Sequence, residues 1–497
     1  MALSSLLFLF GFLPVFLLIW FICRKEFRSY VLFIFSFCFY FLCDSYSGFM
    51  PRRMLYVLFL VLANYAVSLL ISYFNNKKSG VAKFFLAAGI CFNLGILFFY
   101  KYSAFFVNSI NALFHSDFSV PQKIPLIGIS FIVFSLISYL VDVYKNLFQV
   151  EKNIVKFSDY VLMFPKVIMG PIVCYKDIKE NFDFELASKE SVNEGARRFI
   201  LGFCKKIIIA DNLAVLISNI NSSFRNSEAT VFALWLGSLA FSLRLFFDFS
   251  GYSDMAVGIG KILGFNFKEN FNYPYCCKGI ADFWKRWHIS LSEWFRDYLY
   301  IPLGGSRKSG IRNVFNLAVV WLCTGIWHGA GFSFIAWGLV FFVLILFERY
   351  LVKPSKLGRK ASLLWRILVL LIINFNWVLF SHNGLREGIN YCLAMTGFKL
   401  TNSGFSFVGN SLFNLSDVRF LREYGIYLIL GILFSTPVVR SLKEKFFLQK
   451  DSSGVLLSVK YKAVLNVAEF ILYGMAFLCA LSFVVISNHN PFMYQQF

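Results

Sequence analysis

The sequence predicts an all-α membrane protein whose helices cross the bilayer many times. Of its 497 residues, 58% are hydrophobic, 20% are aromatic and only 15% are charged, whereas a soluble chain carries roughly 25% charged residues. Several stretches reach the ~18–20 apolar residues that span a hydrocarbon core. Because a membrane β-barrel is built from alternating strands of ~10 residues, these long runs predict a polytopic bundle of transmembrane helices instead.

The apolar runs predict roughly ten to twelve membrane spans. The candidates lie near residues 5–22, 30–47, 54–74, 83–103, 124–143, 206–220, 231–249, 314–326, 332–347, 364–381, 424–438 and 464–487. The first run lacks a basic leader and a small-residue cleavage site, which favours a retained helix over a signal peptide. No internal repeat or appended soluble domain is evident, so residues 1–497 are expected to form one membrane-embedded domain.

The net charge of +21 is typical of cytoplasmic loops that are rich in Lys and Arg, and it does not require a nucleic-acid partner. Basic residues directly after the first span place Met1 outside the cell. Arg52 and Arg53 argue against this orientation locally. The segment 440–462 holds six basic and two acidic residues and is expected to be cytoplasmic. The tail 488–497 contains no Lys or Arg and is therefore predicted to lie outside.

A polar segment, residues 261–312, carries nine basic and four acidic residues interleaved with aromatic ones. Within it, residues 281–300 have helical periodicity, and Trp284, Trp287 and His288 fall on the aromatic face. The charges on the opposite face favour an amphipathic helix, lying at the membrane interface or dipping into the protein.

The stretch MFPKVIMGPIV is apolar, but Pro165, Gly170 and Pro171 break helices. It predicts a re-entrant loop in place of a complete span. The segment 175–206 that follows has mixed charges and is expected at the cytoplasmic surface.

His328 lies within TGIWHGAG, near the middle of a run without charged residues from Asn313 to Phe347. This run is too long for one span and too short for two complete ones, so we expect two shortened helices that meet around the histidine. An ionisable group at membrane depth is costly and indicates a functional site, and imidazole is the usual general base near neutral pH. The alternative is a neutral core histidine bonded to a backbone carbonyl.

The other polar candidates are weaker. His288 suits an aromatic interface without any chemistry, and Asp248 and Asp254 favour a structural pair over acid–base machinery or a cation site. No third ligand stands at metal-binding spacing from the two histidines, so no metal is expected. The eleven cysteines are interpreted as small apolar residues. Tyr494, in the aromatic tail PFMYQQF, is either part of an interfacial anchor or a nucleophile.

Two blocks, RWHISLSEWFRDYLYIPLGGSR and GIWHGAGFSFIAWG, resemble the signature motifs of the membrane-bound O-acyltransferase (MBOAT) superfamily. The resemblance is to the bacterial branch that acetylates alginate and peptidoglycan. It extends over most of the chain through SSLLFLFGFLPVFL, GISFIVFSLISYLVDVYK, FPKVIMGPI and FDFSGYSDMAVGIGKILGF. It implies the fold of that superfamily, with re-entrant or interfacial helices and a catalytic core at about residues 120–350.

The resemblance also implies an activity, which is transfer of an acetyl group from a cytoplasmic thioester across the membrane for O-acetylation of an envelope polysaccharide. The catalytic histidine of the family maps onto His328 and the second motif histidine onto His288. The donor is expected to be acetyl-CoA, with no bound cofactor, and basic side chains near its phosphates would be Arg286, Arg307 and Lys308.

The resemblance further implies a multi-pass protein of the bacterial inner membrane that works with an extracytoplasmic acetyltransferase. In related systems a C-terminal motif of roughly Phe-x-Tyr-Phe-x-Phe is proposed to carry the acyl group. This chain has Gln495 where that motif has phenylalanine, so a carrier role for Tyr494 stays open. An alginate-like polymannuronate is the favoured acceptor, and peptidoglycan is the alternative. A polar-solute transporter is the rival class, although the repeat symmetry seen in many transporters is not evident.

Overall fold

The computed structural model describes residues 1–44, 50–121, 126–307, 310–382, 384–401, 404–407, 411–447 and 459–486. Within these ranges the protein is almost entirely helical. In chain order, the helices are α1 (Leu13–Ile22), α2 (Arg28–Asp44), α3 (Met50–Asn76), α4 (Val81–Leu97), α5 (Ser103–Phe114), α6 (Ile129–Tyr144), α7 (Ile154–Leu162), α8 (Phe164–Val167), α9 (Tyr175–Ile178), α10 (Lys189–Cys204), α11 (Asp211–Arg225), α12 (Val231–Leu263), α13 (Ile280–Trp284), α14 (Ile289–Phe295), α15 (Gly310–His328), α16 (Phe332–Phe347), α17 (Arg359–Ser381), α18 (Leu385–Ala394), α19 (Leu415–Phe434), α20 (Val438–Phe447) and α21 (Val459–Ile486).

Short π-helical turns extend or join several of these helices, at Phe8–Phe12, Phe98–Tyr102, Lys205–Ala210, Arg296–Tyr300 and Glu348–Val352. The described strands, β1 (Phe398–Thr401) and β2 (Gly404–Phe407), form an antiparallel hairpin. The predicted all-α bundle is therefore confirmed, with one small hairpin between α18 and α19.

Seven helical stretches in the described ranges are long and apolar enough to cross a membrane. They are Lys25–Cys43, Arg53–Asn76, Val81–Phe114, Val231–Leu263, Phe332–Lys356, Arg359–Ser381 and Val467–Ile486. Two further apolar helices, Phe8–Ile22 and Ile129–Tyr144, are shorter. The predicted span at 206–220 is wrong as a separate element, because the helix runs without interruption from Lys189 to Arg225.

Helix α12 forms the centre of the bundle, and most of its 33 residues are buried. Its glycines lie against glycines of α10: a Cβ atom on Gly251 would lie 2.8 Å from the carbonyl oxygen of Gly202, and one on Gly258 would lie 2.5 Å from that of Gly195. The small residues therefore allow close helix packing.

Ion pairs reinforce the contact of α12 with α10 and with the π-helical turn that follows it. The Nζ atom of Lys206 lies 2.7 Å from Asp248, and that of Lys205 lies 2.6 Å from Asp254. Arg198 makes a second ion pair with Asp254, at 2.7 Å. Both carboxylates thus have basic partners on a neighbouring helix, as the structural interpretation of this pair expects.

The predicted amphipathic helix over residues 281–300 is wrong as a single helix. The chain forms α13, turns at residues 285–288 and resumes as α14. Trp284, Trp287 and His288 are all less than 9% exposed, so this segment enters the protein and does not lie on its surface. The neighbouring stretch 163–173 is buried and broken after the short helix α8, as its prolines and glycine predict.

The expectation that two helices meet around His328 is confirmed, but the second is not shortened, because the helical stretch Phe332–Lys356 is long enough to cross a membrane. Helix α15 ends at His328, and α16 begins at Phe332. The two helices approach closely, because a Cβ atom on Gly325 would lie 2.6 Å from the carbonyl oxygen of Phe334 and one on Gly338 would lie 2.6 Å from that of Trp321. This contact positions the last turn of α15.

Candidate active site

His328 is the last residue of α15 and is only 3% exposed. Its imidazole is surrounded by aromatic rings, with centroid distances of 4.9 Å to Trp327, 4.9 Å to Trp337 and 5.3 Å to Phe380. All three contacts are edge-to-face, an arrangement that aromatic quadrupoles favour. The ring of His328 is therefore held in a dry environment at a helix end.

The end of α15 is capped by two side chains of the distant turn Phe98–Tyr102. The ammonium of Lys101 donates a hydrogen bond to the carbonyl oxygen of Trp327 at 2.5 Å and a longer one to that of His328 at 3.4 Å. The hydroxyl of Tyr102 donates to the carbonyl oxygen of Ile326 at 2.8 Å. Since the last carbonyls of a helix have no partner within it, and a cation is favourable at a helix C-terminus, these contacts fix the backbone that carries His328.

His288 lies at the turn between α13 and α14 and is 1% exposed. Its φ of 44° is in the left-handed region, which costs a residue other than glycine about 1–3 kcal/mol. Backbone hydrogen bonds hold this turn against a neighbouring segment. The N–H of Ile289 donates to the carbonyl oxygen of Asn270 at 3.0 Å, and the N–H of Asn272 donates to the carbonyl oxygen of Arg286 at 2.9 Å. Backbone conformations of this kind occur often at functional sites.

A buried amide, Asn270, connects this turn to the rest of the core. Its Oδ1 atom lies 3.2 Å from Nδ1 of His288 and accepts hydrogen bonds from the backbone N–H and the hydroxyl of Ser290, at 3.2 and 3.0 Å. Its Nδ2 atom donates to Ser253 at 3.2 Å. Ser290 in turn accepts a hydrogen bond from the backbone N–H of Ile172 at 2.9 Å, which joins the broken segment 163–173 to the site.

Both histidines contact one indole ring. The centroid of Trp327 is 4.9 Å from that of His328 and 5.9 Å from that of His288. Phe131 and Phe134 of α6 pack on the same indole, at 5.7 and 5.6 Å. Residues forty positions apart in sequence thus form one buried group, in which each imidazole can serve as a base away from bulk water.

Two of the three candidate donor-binding side chains, Arg286 and Arg307, lie in the described ranges. Arg286 is half-buried and pairs with Asp282 at 3.1 Å, whereas Arg307 is exposed. Lys308 and Tyr494 lie outside the described residues, so their assignments stay predictions.

Two polar residues near the histidines were not identified from sequence. Lys101 stands alone among apolar residues in a predicted span, and an isolated charge at that depth indicates a functional or structural contact. Asn270 lies in a polar segment and carries no comparable signal. Within the described ranges, no group of three His, Cys, Asp or Glu side chains could hold a metal ion.

Comparison with known proteins places this chain within a family. The family model described as "MBOAT, membrane-bound O-acyltransferase family" matches residues 145–385, which include both histidines. The chain is 33% identical to the "Probable alginate O-acetylase AlgI" of Pseudomonas putida and 34% identical to that of Azotobacter vinelandii, over 100% of this chain and of each relative. It is also 30% identical to the "Peptidoglycan O-acetyltransferase" of Helicobacter pylori, over 88% of this chain and 86% of that protein.

Proposed function

The chain belongs to the membrane-bound O-acyltransferase family and is a multi-pass membrane O-acyltransferase, and from this premise we propose that it transfers acetyl groups to an envelope polysaccharide. One observation carries the proposal: the two motif histidines, His288 and His328, converge on Trp327 inside the membrane domain. Membership of an enzyme family removes the reason to consider a polar-solute transporter.

The proposed donor is acetyl-CoA, presented from the cytoplasmic side. The acceptor hydroxyl oxygen attacks the thioester carbonyl carbon while its proton passes to His328, and the carbon–sulfur bond then breaks. The protonated histidine returns the proton to the departing thiolate, which leaves as the free thiol. Burial of both imidazoles disfavours attack by water on the thioester.

The favoured acceptor is an alginate-like polymannuronate. Support comes from the two relatives named as alginate O-acetylases, which match from end to end. Peptidoglycan is the second candidate, because a relative with that printed activity matches nearly as much of the chain. Both polymers supply hydroxyl groups, so either one can be the final acceptor of the acetyl group.

The remaining parts of the proposal concern the route of the acetyl group. Arg307 and Lys308 would bind the donor's phosphates, whereas Arg286 is already paired with Asp282. Tyr494 would carry the acetyl group outward, and a secreted acetyltransferase would pass it to the polymer. These roles fit a location in the bacterial inner membrane.

The first experiment replaces His328 by alanine or glutamine in cells that make the polymer. We expect O-acetylation of the polymer to fall ~10²- to 10⁴-fold, the usual contribution of a general base, with normal protein levels. His382→Asn and His115→Gln serve as matched controls, since His382 is a buried histidine elsewhere and His115 an exposed one. Retained acetylation in both His328 variants would overturn the assignment.

The acceptor is identified by mass analysis of envelope glycans from cells that lack the protein. We expect loss of O-acetyl groups from polymannuronate and unchanged peptidoglycan. The reverse result would select peptidoglycan, and unchanged acetylation of every glycan would contradict the proposed function.

A further inference from the structure

We propose that Asn270 is a positioning residue, which holds the ring proton of His288 on Nδ1 and leaves Nε2 as a hydrogen-bond acceptor for a substrate O–H or N–H group. The inference deepens the proposed function and rests on it for the identity of the substrates. The side chain of Asn270 contacts His288 and not the reacting atoms, so it acts by positioning that histidine.

The orientation of the Asn270 amide follows from its neighbours. A backbone N–H can only donate, and that of Ser290 points to Oδ1 of Asn270 at 3.2 Å. The atom that faces Ser290 is therefore the carbonyl oxygen of the amide and not its NH₂ group. The hydroxyl of Ser290 supports the same orientation of the amide. Its oxygen accepts a hydrogen bond from the backbone N–H of Ile172, so its own hydrogen is available to donate to Oδ1 of Asn270.

The position of the proton on His288 follows from that orientation. Its Nδ1 atom lies 3.2 Å from the same Oδ1, and two acceptors cannot share a hydrogen bond without a proton between them. Nδ1 of His288 must therefore carry the proton, and in the neutral imidazole the lone pair is then on Nε2.

The Nε2 atom is buried and makes no hydrogen bond within the part of the chain that the structure describes. Buried polar atoms in proteins almost always have a partner. The ring cannot turn freely to find one, because Phe249 packs against it at 4.6 Å and Trp327 at 5.9 Å. A substrate hydroxyl or amide N–H supplies the donor that Nε2 requires.

The hydrogen bonds of Asn270 also explain why the turn has its particular backbone. The carbonyl oxygen of Asn270 accepts from the N–H of Ile289, directly after His288. The side chain and the backbone of one residue thus hold both the ring and the left-handed turn of the histidine. Such partners of a functional histidine set both its tautomer and its orientation.

The test is ¹⁵N NMR of the full-length protein in detergent after selective labelling of histidine. The chain has five histidines, so the signals of His288 are identified by their loss in His288→Gln. We expect a neutral ring with Nδ1 protonated and Nε2 unprotonated. A protonated Nε2 in the wild-type protein would overturn the proposal without any variant of Asn270.

Three variants separate positioning from packing. Asn270→Ala removes the acceptor and should release the tautomer to a mixture, whereas Asn270→Asp keeps an oxygen acceptor and should preserve it. Ser253→Ala removes the hydrogen bond on the far side of the amide and should leave the tautomer unchanged. An unchanged tautomer in Asn270→Ala, or an equal change in Ser253→Ala, would contradict the proposal.

An activity measurement gives the second readout. Asn270→Ala should lower kcat for acetyl transfer about 10- to 100-fold, and the double variant with His288→Gln should lose no more than His288→Gln alone, because both changes remove one function. If the losses of kcat in the two single variants add up in the double variant, Asn270 and His288 do not act together and the proposal is refuted. Since the NMR result does not depend on acetyl transfer, failure of the proposed function and failure of this inference are distinguishable.

Discussion

The ammonium of Lys101 donates a hydrogen bond of 2.5 Å to the carbonyl oxygen of Trp327, across 226 positions of sequence. Trp327 directly precedes His328, and its ring contacts both histidines. One cation from the turn that follows α4 therefore holds the helix end on which the candidate base is mounted.

Replacement of Lys101 by methionine should lower kcat about 10- to 100-fold, because small displacements of a catalytic group have effects of this size. Tyr102→Phe is the control, since it removes only a neutral hydrogen bond to the next carbonyl of the same helix end. Steady-state kinetics on purified protein provide the measurement. Equal activity of Lys101→Met and the wild type would show that the cap does not position His328.

Replacement of Gly325 by alanine should destabilise the contact between α15 and α16 by about 1–3 kcal/mol, the usual effect of overpacking. The added methyl group would lie 2.6 Å from the carbonyl oxygen of Phe334, which cannot move independently of its helix. Gly474→Ala is the matched control, because a Cβ atom there meets nothing within 4 Å. Thermal unfolding in detergent compares the two variants, and similar melting temperatures would contradict the role of Gly325.

Replacement of Lys206 by methionine should destabilise the protein by about 3–5 kcal/mol, since it removes a cation that pairs with the buried carboxylate of Asp248. Lys206 and Asp248 are each 1% exposed, and their charged atoms lie 2.7 Å apart. Lys261→Met breaks the exposed pair with Glu194 and should change stability by only about 0–1 kcal/mol. Partial recovery in Lys206→Met combined with Asp248→Asn would identify the uncompensated charge as the cause. Equal unfolding midpoints for Lys206→Met and Lys261→Met would contradict the larger contribution of the buried ion pair.

Replacement of Arg307 by glutamine should raise the KM for acetyl-CoA about 10- to 150-fold without a change in kcat. Loss of a hydrogen bond to a charged group costs about 1.5–3 kcal/mol, and 1.4 kcal/mol corresponds to a factor of ten. Arg419→Gln removes one charge from the exposed ion pair with Glu423 and controls for the change in net charge. An unchanged KM in Arg307→Gln would remove Arg307 from the donor site.

The helices around His328 could be predicted because their signals are local. The charge-free run from Asn313 to Phe347 requires helices, and its glycines mark where they end and approach each other. The position of His328 at a break between two helices follows directly from this pattern and is confirmed.

The break at His288 could not be predicted in the same way. The periodicity over residues 281–300 is compatible with a continuous helix, and no glycine or proline interrupts it. The helix is interrupted because Asn270 and Asn272 pair with the backbone at residues 286–289. These contacts exist only when the two segments lie side by side.

The sequence by itself determined the membrane environment, the helical class and the two histidine motifs, since apolar run length and helix-breaking residues act within a few positions of the chain. Only the tertiary structure decided that His288 and His328 share Trp327, and that Lys101 and Asn270 hold them. The physical reason is that buried polar groups must find partners, and in this protein those partners come from segments 18 to 226 positions away.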